Sequence, residues 1–230
     1  MNEVVQNSTI IGIVISLLAF EIGMVLRTKF GYAVLNPLLI SVILVIGFMV
    51  AFHIDYDSYV MSARYLSYLL TPATVALAVP LYQQMQLLKD NLLAVMIGVL
   101  SGVLTSLASI LLLCLVFHMN HAEYITLLPK SITTAIGMSV VEELGGYTTI
   151  TVATIIVTGI LGNVLAEPVC HLFAIKSPIA KGLALGTSAH AIGTSKAMQL
   201  GEVEGAMASL AIVVCGIMTV VGASVFANFL

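Results

Sequence analysis

Between Gly186 and Lys196 the chain reads Gly-Thr-Ser-Ala-His-Ala-Ile-Gly-Thr-Ser-Lys, gathering hydroxyls, an imidazole and an ammonium inside sequence that is otherwise almost all hydrocarbon. A second stretch, Leu128-Pro129-Lys130-Ser131-Ile132-Thr133-Thr134, has the same character. An unpaired ammonium at mid-bilayer costs roughly 2.5–3.5 kcal/mol on insertion scales, so such residues persist only against protein or water. The chemistry they offer is anion binding. A helix interrupted in mid-membrane presents free N–H groups and a partial positive charge, which suit a carboxylate. Thr133, Thr134, Thr187 and Ser188 add hydroxyl donors, Lys130 and Lys196 add charge, and His190 can donate to a substrate or carry a proton near neutral pH.

The candidate substrate-binding set is therefore Lys130, Ser131, Thr133, Thr134, Thr187, Ser188, His190 and Thr194, with Asn163, Lys196 and Glu167 as coupling or pathway candidates. Each has a plainer reading. Small residues allow close helix packing, His190 can make a neutral interhelical hydrogen bond, and Asn163 can tie helices together. Lys196, late in its segment, can snorkel to the interface. Glu21 and Glu167 lie near the ends of their runs, where an interfacial position competes with a proton or cation role. A hydrolase drawn from Ser188 with His190, or Lys130 with Ser131, lacks a carboxylate to orient the base, and side chains so close in a helix diverge. No enzyme activity, metal or cofactor is expected.

The elements that must hold these groups are membrane helices. The 230 residues are 60% hydrophobic and 8% charged, with a mean hydropathy of +1.13, where a soluble domain carries about a quarter charged residues. A net charge of −3 without a basic run excludes nucleic acid as a partner. Cys114, Cys170 and Cys215 lack paired or metal-ligand spacing and read as small buried hydrophobes. The N-terminal apolar run is long enough to span and follows no positive region, so it reads as a first membrane helix rather than a leader.

Run length and breakers parse the chain into spans Ser8 to Leu26, Val34 to Phe52, Leu92 to Phe117, Thr148 to Phe173 and Glu204 to Leu230. Pro37 suits a first helical turn. Three further segments are interrupted: Tyr65 to Leu81 by Pro72 and Pro80, Ile125 to Val141 by Pro129, and the Gly186 to Lys196 stretch by its glycines. The fold expected is all-α, about seven to eight hydrophobic segments in a single transmembrane domain. Residues 1–60 would be scaffold spans and 61–230 a repeat-built core.

The repeat is about 57 residues. Pro72 and Pro129 stand 57 apart (129 − 72), as do Gly102, Gly159 and Gly216, and Ala135-Ile136-Gly137-Met138-Ser139 returns after 56 residues as Ala191-Ile192-Gly193-Thr194-Ser195. In transporters, discontinuous helices at corresponding repeat positions meet near the midplane and hold the substrate. Two topologies fit the basic links: eight full crossings, or re-entrant geometry in which the second and third copies are inverted. Placing Lys176 and Lys181 on the side of Arg27, Lys29 and Lys89 favours the latter.

The Pro129-Lys130-Ser131 run, Gly186-Thr187-Ser188-Ala189-His190, Pro72-Ala73-Thr74 through Pro80-Leu81-Tyr82, and Leu35-Asn36-Pro37-Leu38-Leu39 together resemble the LrgB/CidB family over nearly the whole chain. That resemblance implies a bacterial inner-membrane protein, often made with a smaller membrane partner of the LrgA/CidA type, antiholin-like or holin-like in its effect on murein hydrolases and lysis. It also implies kinship with carriers of glycolate, glycerate and pyruvate. One departure is that Thr134 is followed by Ala135-Ile136-Gly137 where the family pattern has Pro-Ile-Ala. Both readings converge on a multi-pass transporter of a small monocarboxylate, ion-coupled, working by alternating access as a homo-oligomer or with a small partner. The alternative is an antiholin-like or holin-like regulator.

Overall fold

Every regular element among the described residues is helical, because a backbone buried in lipid must satisfy its own hydrogen bonds. The structure, a computed structural model, describes residues 8, 10–31, 35–69, 72, 75–76 and 78–230. Four helices among them are long and apolar enough to cross a membrane. They are α1 (Ile11–Phe30), α6 (Leu92–Val116), α9 (Thr148–Leu172) and α11 (Glu202–Phe226), the last extended by a 3-10 turn at Ala227–Phe229. At 25 residues each, α6, α9 and α11 reach about 38 Å, enough for a hydrocarbon core of about 30 Å with tilt. Their outer faces are apolar and bare. On α6, Leu93, Ile97, Leu100 and Leu104 are exposed while Val95, Val99, Val103 and Leu107 are buried. This is a membrane protein.

The chain divides into two compact units, Met1–Ala76 and Leu77–Leu230. In the first, α1 packs against α2 (Pro37–Phe52) and α3 (Tyr56–Tyr68). Pro37 opens α2 as expected, and Asn36 caps it by accepting from the amides of Leu38 and Leu39 at 2.9 and 3.3 Å. α1 does not stop at Leu26. It runs on to Phe30, so Arg27 and Lys29 occupy its last turn, where cations complement the helix dipole. Ser16 and Tyr59 share a 2.7 Å hydrogen bond between α1 and α3. The break expected at Thr71-Pro72 falls where residues 70, 71, 73, 74 and 77 lie outside the described set.

The second unit opens with α4 (Ala78–Gln83) and α5 (Met85–Asp90), then α6. Between the long helices lie two helical hairpins; with α2 at only 16 residues and part of the Tyr65 to Leu81 segment outside the described residues, four helices reach spanning length where seven to eight segments were expected. The first is α7 (His121–Leu127) and α8 (Thr134–Leu144), joined by the non-helical stretch 128–133. A capping box between Asn120 and Glu123 starts α7, and Pro129 follows its end. α8 folds back against α7, since Gly137 lies near the Pro129 carbonyl and a Cβ at Gly146 would lie 3.0 Å from both Ile125 Cγ2 and the Thr126 amide in α7's last turn. Gly145, at φ 85°, closes α8 in the left-handed conformation.

The second hairpin is α10 (Pro178–Leu200), helical on both sides of His190, whose φ 42° and ψ −133° are non-helical. Here the sequence expectation needs correction. Neither Gly186 nor Gly193 opens the helix. Both are sites of close approach instead: a Cβ at Gly193 would collide with the Leu185 carbonyl oxygen across the fold, and one at Gly186 with that of Ala208 on α11. The reversal itself falls on His190.

Contacts along the helices fix their directions. Gly182 abuts Glu204 and Met207 while Gly186 abuts Ala208 and Ala211, so the first half of α10 runs parallel to α11. Gly98 faces Leu183 and Gly102 faces Thr187, so α6 runs the same way. On α9 the order reverses, with Gly159 against His190 and Ile192, and Glu167 against Lys196. The α10 hairpin therefore enters and leaves at the end where α11 begins. The α7–α8 hairpin enters at the other end, where Tyr124 Oη donates to the Phe226 carbonyl at 2.9 Å.

Candidate functional site

The two hairpin tips meet at the middle of α11. Cys215 Sγ lies 3.9 Å from the carbonyl oxygen of Ser131 and 3.6 Å from that of Thr187, at a buried position nearly halfway along the helix. Above this meeting point is a cavity of about 780 Å³ between α6, the first tip and the first half of α10. Asn91 and Ser177, the residues that begin α6 and α10, line one end of it, and Lys130, Ser131, Thr187 and Ser188 line the other. Eleven residues of helix separate Ser177 from Ser188, so this vestibule reaches about 16 Å into the bundle.

Its polarity is one-sided. Ser101, Thr105 and Ser106 of α6 face the four hairpin residues, Lys130 is the charged side chain in the lining, and no carboxylate is present among the described lining residues. Lys130 Nζ donates to Ser131 Oγ at 2.9 Å, and Ser106 Oγ donates to the same oxygen at 3.2 Å. A chain from α6 through the tip thus orients the ammonium. Thr187 Oγ1 is buried and has no hydrogen-bond partner among the described residues. An ammonium plus several hydroxyls, without a competing acid, is a setting for a small anion.

Of the residues singled out from sequence, this arrangement brings together Lys130, Ser131, Thr187 and Ser188. The others lie elsewhere. Thr133 precedes α8 without a side-chain capping bond, Thr134 begins that helix, and neither lines the vestibule. His190 is 4% exposed and its Nε2 donates to the Ile155 carbonyl on α9 at 3.0 Å. Asn163 Nδ2 donates to the Ile192 carbonyl at 3.1 Å, and Lys196 pairs with Glu167. His190, Asn163 and Lys196 thus join the returning half of α10 to one face of α9. Thr194 is fully buried with its hydroxyl unpartnered among the described residues. No group of three or more His, Cys, Asp or Glu residues able to hold a metal occurs among the described residues.

Sequence reasoning missed Ser101, Thr105 and Ser106. They sit in a run that reads as an ordinary apolar span. The signal was their pairing with Gly98 and Gly102 on one side of that helix, where small residues admit a neighbour and hydroxyls face it.

Comparison with known proteins gives the following. The LrgB-like family model matches residues 16–229. A protein of Bacillus subtilis (strain 168) named antiholin-like protein LrgB is 37% identical over 221 residues, covering 95% of each chain. Proteins of the same name from Bacillus mycoides (strain KBAB4) and Bacillus cereus (strain B4264) are each 34% identical over 220 residues, 95% of this chain and 96% of theirs. No solved structure matches.

Proposed function

Because this chain belongs to the LrgB-like family, we propose that it serves the cell membrane in the antiholin-like role its relatives' names give them. We further propose that movement of a small monocarboxylate through the vestibule is the molecular activity behind that role. The name its relatives carry, antiholin-like protein LrgB, supports the first part; we take that role to be regulation of murein hydrolase activity and lysis from a multi-pass position in the inner membrane. A single observation carries the second: two broken segments from opposite ends meet at Cys215 beside an ammonium-bearing vestibule. A regulator acting only by oligomerising in the membrane has no use for such a site.

An ancestral repeat of about 57 residues supports the transport reading. Gly102, Gly159 and Gly216 hold equivalent places on α6, α9 and α11, and each abuts a hairpin: Thr187 for the first, His190 and Ile192 for the second, Ile136 for the third. Copies two and three, each a hairpin followed by a span, then lie inverted in the membrane, as alternating access requires. In this reading the hairpins are re-entrant and the chain has eight hydrophobic segments. Glycolate, glycerate and pyruvate are the substrate class, bound by Lys130, Ser131, Thr187 and Ser188, with coupling to protons or sodium. No catalytic step or cofactor is involved. The protein works as a homo-oligomer or beside a small LrgA/CidA-type partner.

The test is uptake of labelled glycolate and pyruvate into proteoliposomes of the purified protein under pH and sodium gradients. Saturable uptake, lost in Lys130→Ala, is the expected result. No uptake of any two- or three-carbon acid, with an undiminished effect on autolysis when the protein is expressed, would leave the regulator reading standing alone.

A further inference from the structure

A second cavity, of about 590 Å³, lies at the end of the bundle where α9 finishes and α10 begins. His171, Lys176 and Lys181 line it, together with Ile175 and Leu200. The chain has only eight Lys and Arg residues, and placing two of them here is electrostatically awkward. Lys176 precedes α10 and Lys181 lies in its opening turns, the positive end of the helix dipole, with no acidic residue in the first turn to offset them. The carboxylate in the lining, that of Glu167, is paired with Lys196. With the Glu167 charge balanced by Lys196, Lys176 and Lys181 leave the lining net positive.

The surroundings say what kind of anion fits. Leu172 and Phe173, at the end of α9, are 77% and 69% exposed next to this cavity. Apolar side chains project outward beside a basic hollow at a helix end, which is the pattern of a headgroup-level site.

We propose that the cavity between the end of α9 and the start of α10 binds a phosphate-bearing anion, held by Lys176, Lys181 and His171. Two sources share this chemistry: the phosphodiester of an anionic lipid, whose acyl chains would lie on Leu172 and Phe173, and free phosphate. The site is separate from the vestibule, which Lys130 serves from the other face of α10. It does not depend on whether the protein transports carboxylates.

The experiment is thermal unfolding of the full-length protein in detergent with added phosphatidylglycerol, phosphatidylcholine or inorganic phosphate. For the wild type, phosphatidylglycerol is expected to raise the midpoint by about 3 °C or more over phosphatidylcholine. Lys176→Gln/Lys181→Gln should lose that increment, Lys176→Arg/Lys181→Arg should keep it, and Lys89→Gln should behave as wild type. An equal rise with inorganic phosphate, lost in the same variant, assigns the site to a soluble anion. Equal responses to the two lipids without a phosphate effect, or a phosphatidylglycerol response that survives Lys176→Gln/Lys181→Gln, would overturn the proposal. Should the Gln variant not fold, loss of the response in His171→Gln serves in its place.

Discussion

Ser131 and Thr187 stand 56 residues apart (187 − 131), the offset at which the broken segments repeat, and their carbonyl oxygens flank one thiol, Cys215. Two broken segments that meet at one atom are hairpin tips converging on a common level from opposite ends of the bundle. Several consequences can be measured.

Lys130 is held by Ser131, which is held by Ser106. Lys130→Ala should raise the half-saturating carboxylate concentration about 10- to 100-fold, from loss of a charged hydrogen bond of about 1.5–3 kcal/mol. Ser106→Ala, which only loosens the ammonium, should raise it severalfold. Uptake kinetics in proteoliposomes measure both, and an unchanged value in Lys130→Ala removes the ammonium from the site.

His190 points to α9 and not into the vestibule, anchored on the Ile155 carbonyl. His190→Ala removes an interhelical hydrogen bond to a carbonyl that its own helix already satisfies, at about 0.5–1.5 kcal/mol, together with a buried ring, and keeps a side chain at a positive φ. The unfolding midpoint should fall by several degrees while the half-saturating concentration stays within about twofold. A large rise in that concentration with an unaltered midpoint would place the imidazole on the substrate.

The Lys196–Glu167 pair is asymmetric, since the lysine is 7% exposed and the carboxylate side chain 62%. Glu167→Gln strands a buried ammonium and should be the costlier change, by about 1–3 kcal/mol. Lys196→Met leaves a carboxylate that water can solvate and should cost less. Thermal midpoints of the two single variants and the double variant check this ordering.

Gly186 of α10 packs against α11, where a Cβ would strike the Ala208 carbonyl, while Gly47 of α2 has open space around it. Gly186→Ala should destabilise by about 2 kcal/mol or more, as an overpacked contact does. Gly47→Ala should be neutral or stabilising by up to about 1 kcal/mol, from helix propensity.

If α10 is re-entrant, single cysteines introduced at Lys176 and Glu202 will react with an impermeant maleimide from the same side of the membrane, in a background lacking the native cysteines. Cysteines at His118 and Tyr147 will react from the opposite side. Labelling of Lys176 and Glu202 from opposite sides would make α10 a full crossing.

The long helices of this protein were legible in its sequence, because run length in an apolar chain is dictated by the thickness to be crossed; α3 and α5, which begin in or occupy stretches that read as polar links, were not. Pro37 in a first helical turn and the stop before Pro129 follow from backbone hydrogen bonding within a few residues. The vestibule was half legible: Lys130, Ser131, Thr187 and Ser188 stood out by polarity against hydrocarbon. Ser101, Thr105 and Ser106 did not, since a hydroxyl in a span can bond its own helix backbone and so carries no mark of what it faces.

By itself, then, the sequence determined a helical membrane protein interrupted at Pro129 and at Gly186 to Lys196, besides the expected break at Pro72 and Pro80, since interruptions are local costs written in proline, glycine and charge. Only the tertiary structure decided that the interruptions are hairpin tips, that the second turns at His190, and that the imidazole, Asn163 and Lys196 face α9 while Lys130 faces the vestibule. Which way a side chain points depends on how one helix is rotated against its neighbours. In a chain apolar on nearly every face, periodicity holds no record of that rotation.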